Sequence, residues 1–404
     1  MTELPAFSAI PVPETQIGIA KETERGVPVA PALWLPVMAP KYKPDVQYLN
    51  DEGLRGSMVT SYDMIPGLRA DGHGWDMYPY MDTFPALVKA CLGSPDTKTA
   101  ASTATELKVE GKAGESEVEV ESATGIEEGK TYIVIGTAGT SSDTRLVTKV
   151  TTKKLKLAYP LTFTHAAKAT VTGLTTHEFS LLNNSLEKGN QPPSYTITDF
   201  AGEYYSSTAH WRQLAGGQLD SLTISGSGDS LPKAAVSWMA NQAIKPSAPS
   251  PSFTTVEAPP GWTTDIAIGG VTVPYLVSWE FDLKRGVKNI PAITGTENYY
   301  QHFAGPLVAT AKVVVLENPE ATWLNAYLEG TLESIDLTLA DVQNGYAMNL
   351  HSTKCKFTTG ELDRSKEWVE VPLELQLIPS STDALAGGVS PIKITCANAV
   401  TTEY

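Results

Sequence analysis

Hydrophobic and polar residues alternate along the clearest segments of the chain with the period of two that is typical of strands. Residues 275–284 and 369–377 show this alternation over their full length, and shorter runs lie at 219–224, 307–316 and 335–339. The hydrophobic positions of the two long segments are Tyr275, Val277, Trp279, Phe281 and Leu283, then Val369, Val371, Leu373, Leu375 and Leu377. Because the other face is largely polar, the pattern predicts half-exposed strands in antiparallel sheets.

Helical patterns are rare. Residues 83–92 carry apolar positions at helical spacing before Gly93, and residues 319–328 lie between Asn318 and Gly330. A polar residue before the first turn and a glycine after the last one are the usual boundaries of a helix. We therefore predict a mainly β protein, an antiparallel sandwich or barrel with one or two short helices packed on a sheet.

Composition divides the chain into regions. Residues 1–16 contain three prolines and no periodicity, which predicts an extended N-terminal arm. Residues 104–173 contain nine basic and nine acidic residues, and their short alternating runs predict an inserted small β domain. The main β domain is then discontinuous, over residues 17–103 and 174–404, with an exposed Pro- and Ser-rich loop at 246–260. The runs inside the insertion lie at 118–120, 132–135, 145–150 and 153–157.

The overall composition favours a folded protein that does not bind nucleic acid through phosphate contacts. Hydrophobic residues make up 42% of the chain and charged residues 19%, and the net charge is −15. This charge falls entirely outside the neutral insertion. The three cysteines are widely spaced, so neither a disulfide framework nor a zinc site is indicated, and synthesis in a reducing cytoplasm is expected. The sequence carries no secretion signal and no apolar stretch long enough for a membrane span.

The chain lacks the sequence signatures of common catalytic and phosphate-binding sites. The six histidines are scattered singly. Residues 71–76, Asp-Gly-His-Gly-Trp-Asp, could serve acid–base chemistry, but a tight turn anchored by the tryptophan is the preferred interpretation. We therefore predict no catalytic, cofactor-binding or metal-binding residues and no enzymatic activity.

Two groups of residues leave alternatives open. Glu280 with Asp282, and Glu370 with Glu374, place carboxylates on one face of a predicted strand, where adjacent positions lie about 7 Å apart. Such pairs suit a glycosidase, and a solvated polar face explains them equally well. Five aromatic residues suit either a sugar-binding platform or buried and interface anchors. These are Tyr204, Tyr205, Trp211, Tyr299 and Tyr300.

Residues 17–37 resemble the opening of the tail tube proteins, or major tail proteins, of long-tailed bacteriophages of the siphophage type. In that family a first strand carries Gly-x-x-x-Glu-Thr-x-x-Gly into a Pro-containing second strand. Residues 83–93 resemble the family's first helix, which closes on Leu-Gly, and residues 216–226 resemble its central strand. The insertion is similar to a small β module that recurs in phage tail and virion proteins. The positions that fill the first pattern are Gly18, Glu22, Thr23, Gly26, Pro31 and Pro36.

The resemblance implies a structural subunit that forms hexameric rings stacked into a tube. The implied partners are further copies of the chain, the tape measure protein, the tail terminator and distal tail proteins, and double-stranded DNA that passes through without specific binding. The implied location is the virion tail, after synthesis in the host cytoplasm. A carbohydrate- or receptor-binding tail protein is the alternative, which the aromatic clusters and the β modules favour.

Such a tube also suggests a role for the acidic strand positions. A basic channel would bind DNA phosphates and slow the exit of the DNA, whereas an acidic wall avoids that adhesion. Glu280, Asp282, Glu370 and Glu374 are the predicted lumen-facing residues. A location on the outer surface of the tube is the open alternative.

Overall fold

The computed structural model describes residues 13, 15–53, 55, 56, 58–136, 141–183, 189–200, 212–244, 250–316, 322–385 and 387–404. Within these residues the protein consists mainly of antiparallel strands with two short α-helices, which confirms the predicted fold class. None of the described helices is long and apolar enough to span a membrane.

In chain order the strands and helices are β1 (Gln16–Lys21), β2 (Leu33–Leu35), β3 (Met38–Asp51), β4 (Asp63–Met77), α1 (Phe84–Leu92), β5 (Thr97–Thr99), β6 (Thr105–Glu106), β7 (Glu117–Glu119), β8 (Tyr132–Ile135), β9 (Asp143–Thr151), β10 (Lys154–Leu157), β11 (Thr170–Gly173), β12 (Thr175–Ser180), β13 (Tyr195–Phe200), β14 (Arg212–Ser227), β15 (Lys233–Ala240), β16 (Thr264–Ile268), β17 (Val271–Thr272), β18 (Leu276–Lys284), β19 (Lys288–Ile290), β20 (Gln301–Phe303), β21 (Val308–Leu316), α2 (Thr322–Glu329), β22 (Leu332–Asp341), β23 (Tyr346–Gly360), β24 (Glu370–Leu377) and β25 (Lys393–Asn398).

One continuous antiparallel sheet organises the main domain. Its neighbours follow the order β3, β4, β15, β14, β18, β21, β24 and β23. The other half of β23 pairs with β25, which continues to β12 and β5, and β22 pairs along the opposite edge of β23. Strands β2, β1 and β13 extend from the first half of β14. The long strands β14 and β23 therefore each belong to two groups of strands.

Helix α1 lies in the core of the main domain. All of its residues except Ala86 are buried, and it ends at Gly93, whose φ is 84° and whose N–H donates to the Lys89 carbonyl at 2.8 Å. The predicted helix at residues 83–92 is thus confirmed. Helix α2 ends before Gly330 as predicted, whereas Asn318, its predicted start, lies outside the described residues.

The Gly-x-x-x-Glu-Thr-x-x-Gly segment is organised around one buried carboxylate. Glu22 is 6% exposed, and its Oε2 accepts a hydrogen bond from the Gly26 N–H at 2.8 Å. Its Oε1 accepts from Thr196 Oγ1 at 2.9 Å and from the Gly216 N–H at 2.7 Å. Gly216 has a φ of 68°, which favours glycine, and lies where β14 changes its neighbour from β13 to β15. Glu22 therefore joins the start of the chain to the bend in β14.

Residues 71–76 belong to β4, so the predicted tight turn is wrong. Asp71, His73 and Trp75 alternate along the strand and are all buried. Gly74 lies on the opposite face, where an added Cβ would approach the backbone of β15 to 2.9 Å. Gly74, one of the two glycines that suggested a turn, instead allows the close approach of a neighbouring strand.

The insertion forms its own six-stranded sheet, in the order β6, β11, β8, β9, β10 and β7. The four runs predicted from the sequence correspond to strands β7, β8, β9 and β10. Its apolar residues form a core of their own, made of Leu107, Val118, Val120, Ile133, Ile135, Val147, Leu155, Leu157, Leu161 and Val171.

In addition to its own core, the insertion has a small contact with the main domain. Tyr132 and Val134 pack with Leu174, Ala347 and Ala397 in a separate apolar cluster. Beside it, the Tyr159 hydroxyl donates to Asp336 Oδ1 at 2.8 Å, and the Ser142 hydroxyl donates to the Val342 carbonyl at 3.0 Å. The insertion therefore packs against β22, β23 and β25 through both apolar and polar contacts.

Replacing residues 104–173 with a short Gly-Ser linker should leave a folded main domain that still assembles. The insertion has its own core, and β5 and β12, which flank it, pair with each other directly. We expect the free energy of unfolding to fall by about 2–4 kcal/mol, because a small apolar contact and two hydrogen bonds are lost. Thermal unfolding and electron microscopy measure both properties. An insoluble product without a cooperative transition would show that the two parts share one core.

Candidate assembly surfaces

One face of strands β14, β18, β21 and β24 is polar and open, while the opposite face covers the core. The register places Ser225, Glu280, Lys312 and Glu374 in one row across the four strands. Directly opposite residues on antiparallel strands share a face and lie about 4.5–5.5 Å apart. The neighbouring row consists of Thr223, Asp282, Thr310 and Gln376.

Charges of opposite sign alternate on this polar face. Lys312 stands between Glu280 and Glu374, with its Nζ 3.9 Å from Glu374 Oε1. Asp282 pairs with Lys284 Nζ at 2.6 Å. The carboxylates therefore have lysine neighbours, and the face is less acidic than the two strands alone suggest. The sequence pattern missed this balance because Lys312 comes from a neighbouring strand.

Glu370 differs from the other three acidic residues. It is 5% exposed and accepts hydrogen bonds from Lys366 Nζ at 2.8 Å and Trp368 Nε1 at 2.7 Å. These bonds, first that from Lys366, hold the pKa of Glu370 below its usual range. Its carboxylate serves as a local acceptor at the start of β24, whereas the other three open onto the polar face.

Strands β3 and β4 form a long hairpin whose outer half leaves the sheet. Strand β15 pairs only with residues 71–77 of β4, so residues 45–51 and 63–70 pair only with each other among the described strands. At about 3.3 Å per residue, this outer half reaches roughly 20 Å beyond the sheet. A two-stranded ribbon of this kind is at best marginally stable in water unless another surface covers it.

The outer half of the hairpin also exposes large apolar side chains. Tyr48, Leu49 and Ile65 are each 54% exposed and Met64 is 56% exposed. Leu49 and Ile65 lie directly opposite each other. Exposed apolar side chains grouped in this way mark a protein interaction surface.

A buried carboxylate fixes the base of the hairpin. Asp71 accepts hydrogen bonds from the Tyr42 hydroxyl at 2.6 Å, from Arg69 Nε at 2.8 Å and from the Ala243 N–H at 3.0 Å. Burial, together with the hydrogen bond to Asp71, raises the pKa of Tyr42 to about 12. The hairpin thus projects from a rigid base.

The aromatic and histidine candidates do not form a catalytic cluster in the described part of the chain. Tyr204, Tyr205, Trp211 and His210 lie outside it, Tyr300 is 66% exposed, and Tyr299 packs near His302. Burial lowers the pKa of His302 to about 4. The described residues contain no group of three or more His, Cys, Asp or Glu side chains that could hold a metal ion. The other described histidines each contact a carboxylate, in the pairs His73–Asp199, His165–Asp143, His177–Asp96 and His351–Asp336.

The three cysteines are free thiols inside the core. Cys91, Cys355 and Cys396 are each at most 1% exposed. Burial raises the pKa of Cys91 and of Cys355 to about 12, and it raises the pKa of Cys396 as well.

Comparison with known proteins gives one family match. The family model described as phage tail tube protein matches residues 13–387. The match spans both parts of the main domain and the insertion between them. Among curated proteins, no similar sequence is found.

Proposed function

The chain belongs to the family of phage tail tube proteins, and from this premise we propose that its copies form hexameric rings that stack into the tube of a siphophage tail. The protein is a structural component of the virion tail. The tube surrounds the tape measure protein before DNA release and guides double-stranded DNA during ejection, without binding it specifically. Tail terminator and distal tail proteins bind the two ends of the tube. The subunit is made in the host cytoplasm before assembly.

The outer half of the β3–β4 hairpin is the observation that carries this proposal. It exposes apolar side chains beyond the last supporting strand, although such a ribbon needs a covering surface. A neighbouring copy of the chain can provide that surface in a tube. Each subunit would then contribute one projecting hairpin and receive another.

The polar face of β14, β18, β21 and β24 is the proposed wall of the lumen. Its side chains are mostly short or charged, and each lysine at its centre has a carboxylate neighbour. DNA phosphates therefore meet no row of unpaired positive charges that would release counterions and hold the duplex. Glu280, Asp282 and Glu374 provide the open carboxylates of this wall, and Glu370 supports its edge.

Electron microscopy of the purified protein tests the proposal directly. Rings or tubes with six subunits in each ring are the expected result. Monomers that bind cell-wall glycans would instead favour a carbohydrate- or receptor-binding tail protein.

Reversing two charges on the polar face should slow DNA release. Glu280→Lys combined with Glu374→Lys places positive charge on both sides of Lys312, so phosphates would be held at this row. We expect intact tubes and delayed ejection, most strongly at low salt, where screening is weakest. Release kinetics in an ejection assay measure the effect.

Glu280→Gln combined with Glu374→Gln is the matched control, because it removes the same carboxylates without adding positive charge. It should cause a smaller delay than the double lysine variant. Equal and unchanged release for both variants at low salt would show that this face does not line the channel.

A further inference from the structure

We propose that the pocket beside Arg285 binds a carboxylate group that a second copy of this chain supplies, an inference that rests on the proposed function. The pocket has a volume of about 200 Å³. Its described lining consists of residues 181–183 and 189–191 after β12, Arg285 after β18, and residues 303–307 from the last residue of β20 to the residue before β21. No part of the proposed lumen wall contributes to it.

Two nitrogen atoms of the buried Arg285 guanidinium lack a hydrogen-bond acceptor among the described residues. The residue is 3% exposed, and neither its Nε nor its Nη1 has a hydrogen-bond partner in the described part of the chain. A guanidinium is charged at every physiological pH and presents its N–H groups in a fixed fork. A buried charge of this kind is strongly unfavourable unless an acceptor of opposite charge reaches it.

The described neighbours of Arg285 do not supply that charge. Cys91 is the side chain that interacts most with it electrostatically, and its thiol is protonated because burial raises its pKa to about 12. The Asp220 carbonyl accepts from the Arg285 backbone N–H and its Oδ1 accepts from the Val287 N–H, but no described ion pair joins the Asp220 carboxylate to the Arg285 guanidinium. The side chain of Arg285 therefore remains available to a group that enters the pocket.

The lining of the pocket favours a carboxylate that belongs to a protein side chain. Phe303 is 39% exposed and Leu307 is half-buried, so the rim has apolar surface beside the single cation. The Gln191 side-chain amide donates to the Ala304 carbonyl and accepts from the Ala304 N–H, and these two bonds link the opposite sides of the pocket. One guanidinium can match the two oxygens of a carboxylate with two parallel N–H···O bonds.

A second copy is the occupant that the charge balance favours. The chain has 45 acidic and 30 basic residues, so another copy carries many carboxylates without a cation of their own. An acidic side chain with an apolar neighbour would fill the pocket and cover its rim at the same time. The unassembled subunit then keeps a costly buried charge that assembly neutralises, which couples this pocket to tube formation.

Arg285→Met tests the pocket through two opposite effects. The unassembled variant should be at least as stable as the wild-type subunit, because an unpaired buried charge is replaced by an apolar side chain. Its critical concentration for assembly should rise at least tenfold, and Arg285→Lys should restore part of the loss. The matched control is Arg145→Met, because Arg145 is also buried but pairs with Asp143 at 3.0 Å and should lose stability when replaced.

Acetate serves as the chemical probe. At constant ionic strength, exchanging chloride for acetate should raise the melting temperature of the unassembled wild-type subunit but not of Arg285→Met, and it should inhibit wild-type assembly by competition. A marked loss of stability in unassembled Arg285→Met would overturn the proposal, because Arg285 would then have a partner inside the subunit. Acetate binding without any effect on assembly would mean that a free anion, and not a second copy, occupies the pocket.

Failure of this proposal can be distinguished from failure of the proposed function. A wild-type protein that forms no rings or tubes contradicts the proposed function, and with it the second copy as occupant. Wild-type tubes with unchanged assembly of Arg285→Met contradict only the pocket.

Discussion

Leu49→Glu combined with Ile65→Lys should prevent tube assembly while leaving the subunit folded. The two residues lie opposite each other on β3 and β4, so the new charges can pair across the hairpin and preserve it. Burial of a large apolar side chain contributes roughly 1.5–3 kcal/mol, so losing two of them weakens each contact by about a hundredfold or more. Light scattering against protein concentration, with electron microscopy of the products, measures the loss.

Val271→Lys is the control for a general effect of surface charge. Val271 is 60% exposed and lies on β17, away from the hairpin. The variant should assemble like the wild type, and both variants should unfold within about 0.5 kcal/mol of it, as surface substitutions usually do. Normal tubes from the double variant would show that the hairpin does not form the contact between copies.

Glu22→Ala should produce the largest loss of subunit stability among simple substitutions in the N-terminal segment. It leaves the N–H groups of Gly26 and Gly216 and the Thr196 hydroxyl without their acceptor at a site that is 6% exposed. Leaving buried donors unsatisfied costs about 1–3 kcal/mol for each one, so a total loss of at least about 3 kcal/mol is expected for the three donors. The urea midpoint of the main-domain transition reports the change.

Two control variants distinguish the effect of losing the buried Glu22 carboxylate from a general effect of substitutions in this segment. Glu22→Gln retains one acceptor oxygen and should lose less stability than Glu22→Ala. Glu24 is exposed, so Glu24→Ala should have little effect. Similar urea midpoints for Glu22→Ala and Glu24→Ala would mean that the hydrogen bonds of Glu22 contribute little to the stability of the subunit.

Strands that cover a core on one side were predictable from the sequence. The alternating segments at 275–284 and 369–377 correspond to β18 (Leu276–Lys284) and β24 (Glu370–Leu377). Two predicted buried positions depart from the pattern. Tyr275 lies before β18 and is 61% exposed, and Val277 is only half-buried because the pairing of β18 with β21 shifts register there. Where only one face of a strand is buried, hydrophobic and polar residues alternate in the sequence, and β18 and β24 were predictable for that reason.

The hairpin was not predicted, for a physical reason. Its outer half is exposed on both faces, so no core imposes an alternation on residues 45–51 and 63–68. Pro44 and Pro66 lie within these strands, because proline is tolerated where a strand has no further neighbour. Alternation in a sequence reflects burial within the subunit. A surface that is proposed to contact another copy is exposed in the subunit and therefore shows less alternation.

The polar face shows a second limit. Its acidic positions were visible within single strands, but Lys312 joined them only through the pairing of β18, β21 and β24. Burial of Glu370 depends on Lys366 and Trp368, which precede its strand and carry no periodic signal. Charge balance on a sheet depends on register, and register is fixed by tertiary packing.

The burial of the three thiols predicts how the virion responds to oxidation outside its host. Aerated medium oxidises cysteine through its thiolate, first to sulfenic acid and then to disulfides. Because Cys91, Cys355 and Cys396 are closed off from solvent and remain protonated, oxidants find no thiolate to attack. Ageing in air should therefore create no covalent cross-links between copies, and a stored virion should come apart in denaturant without a reducing agent as readily as a fresh one.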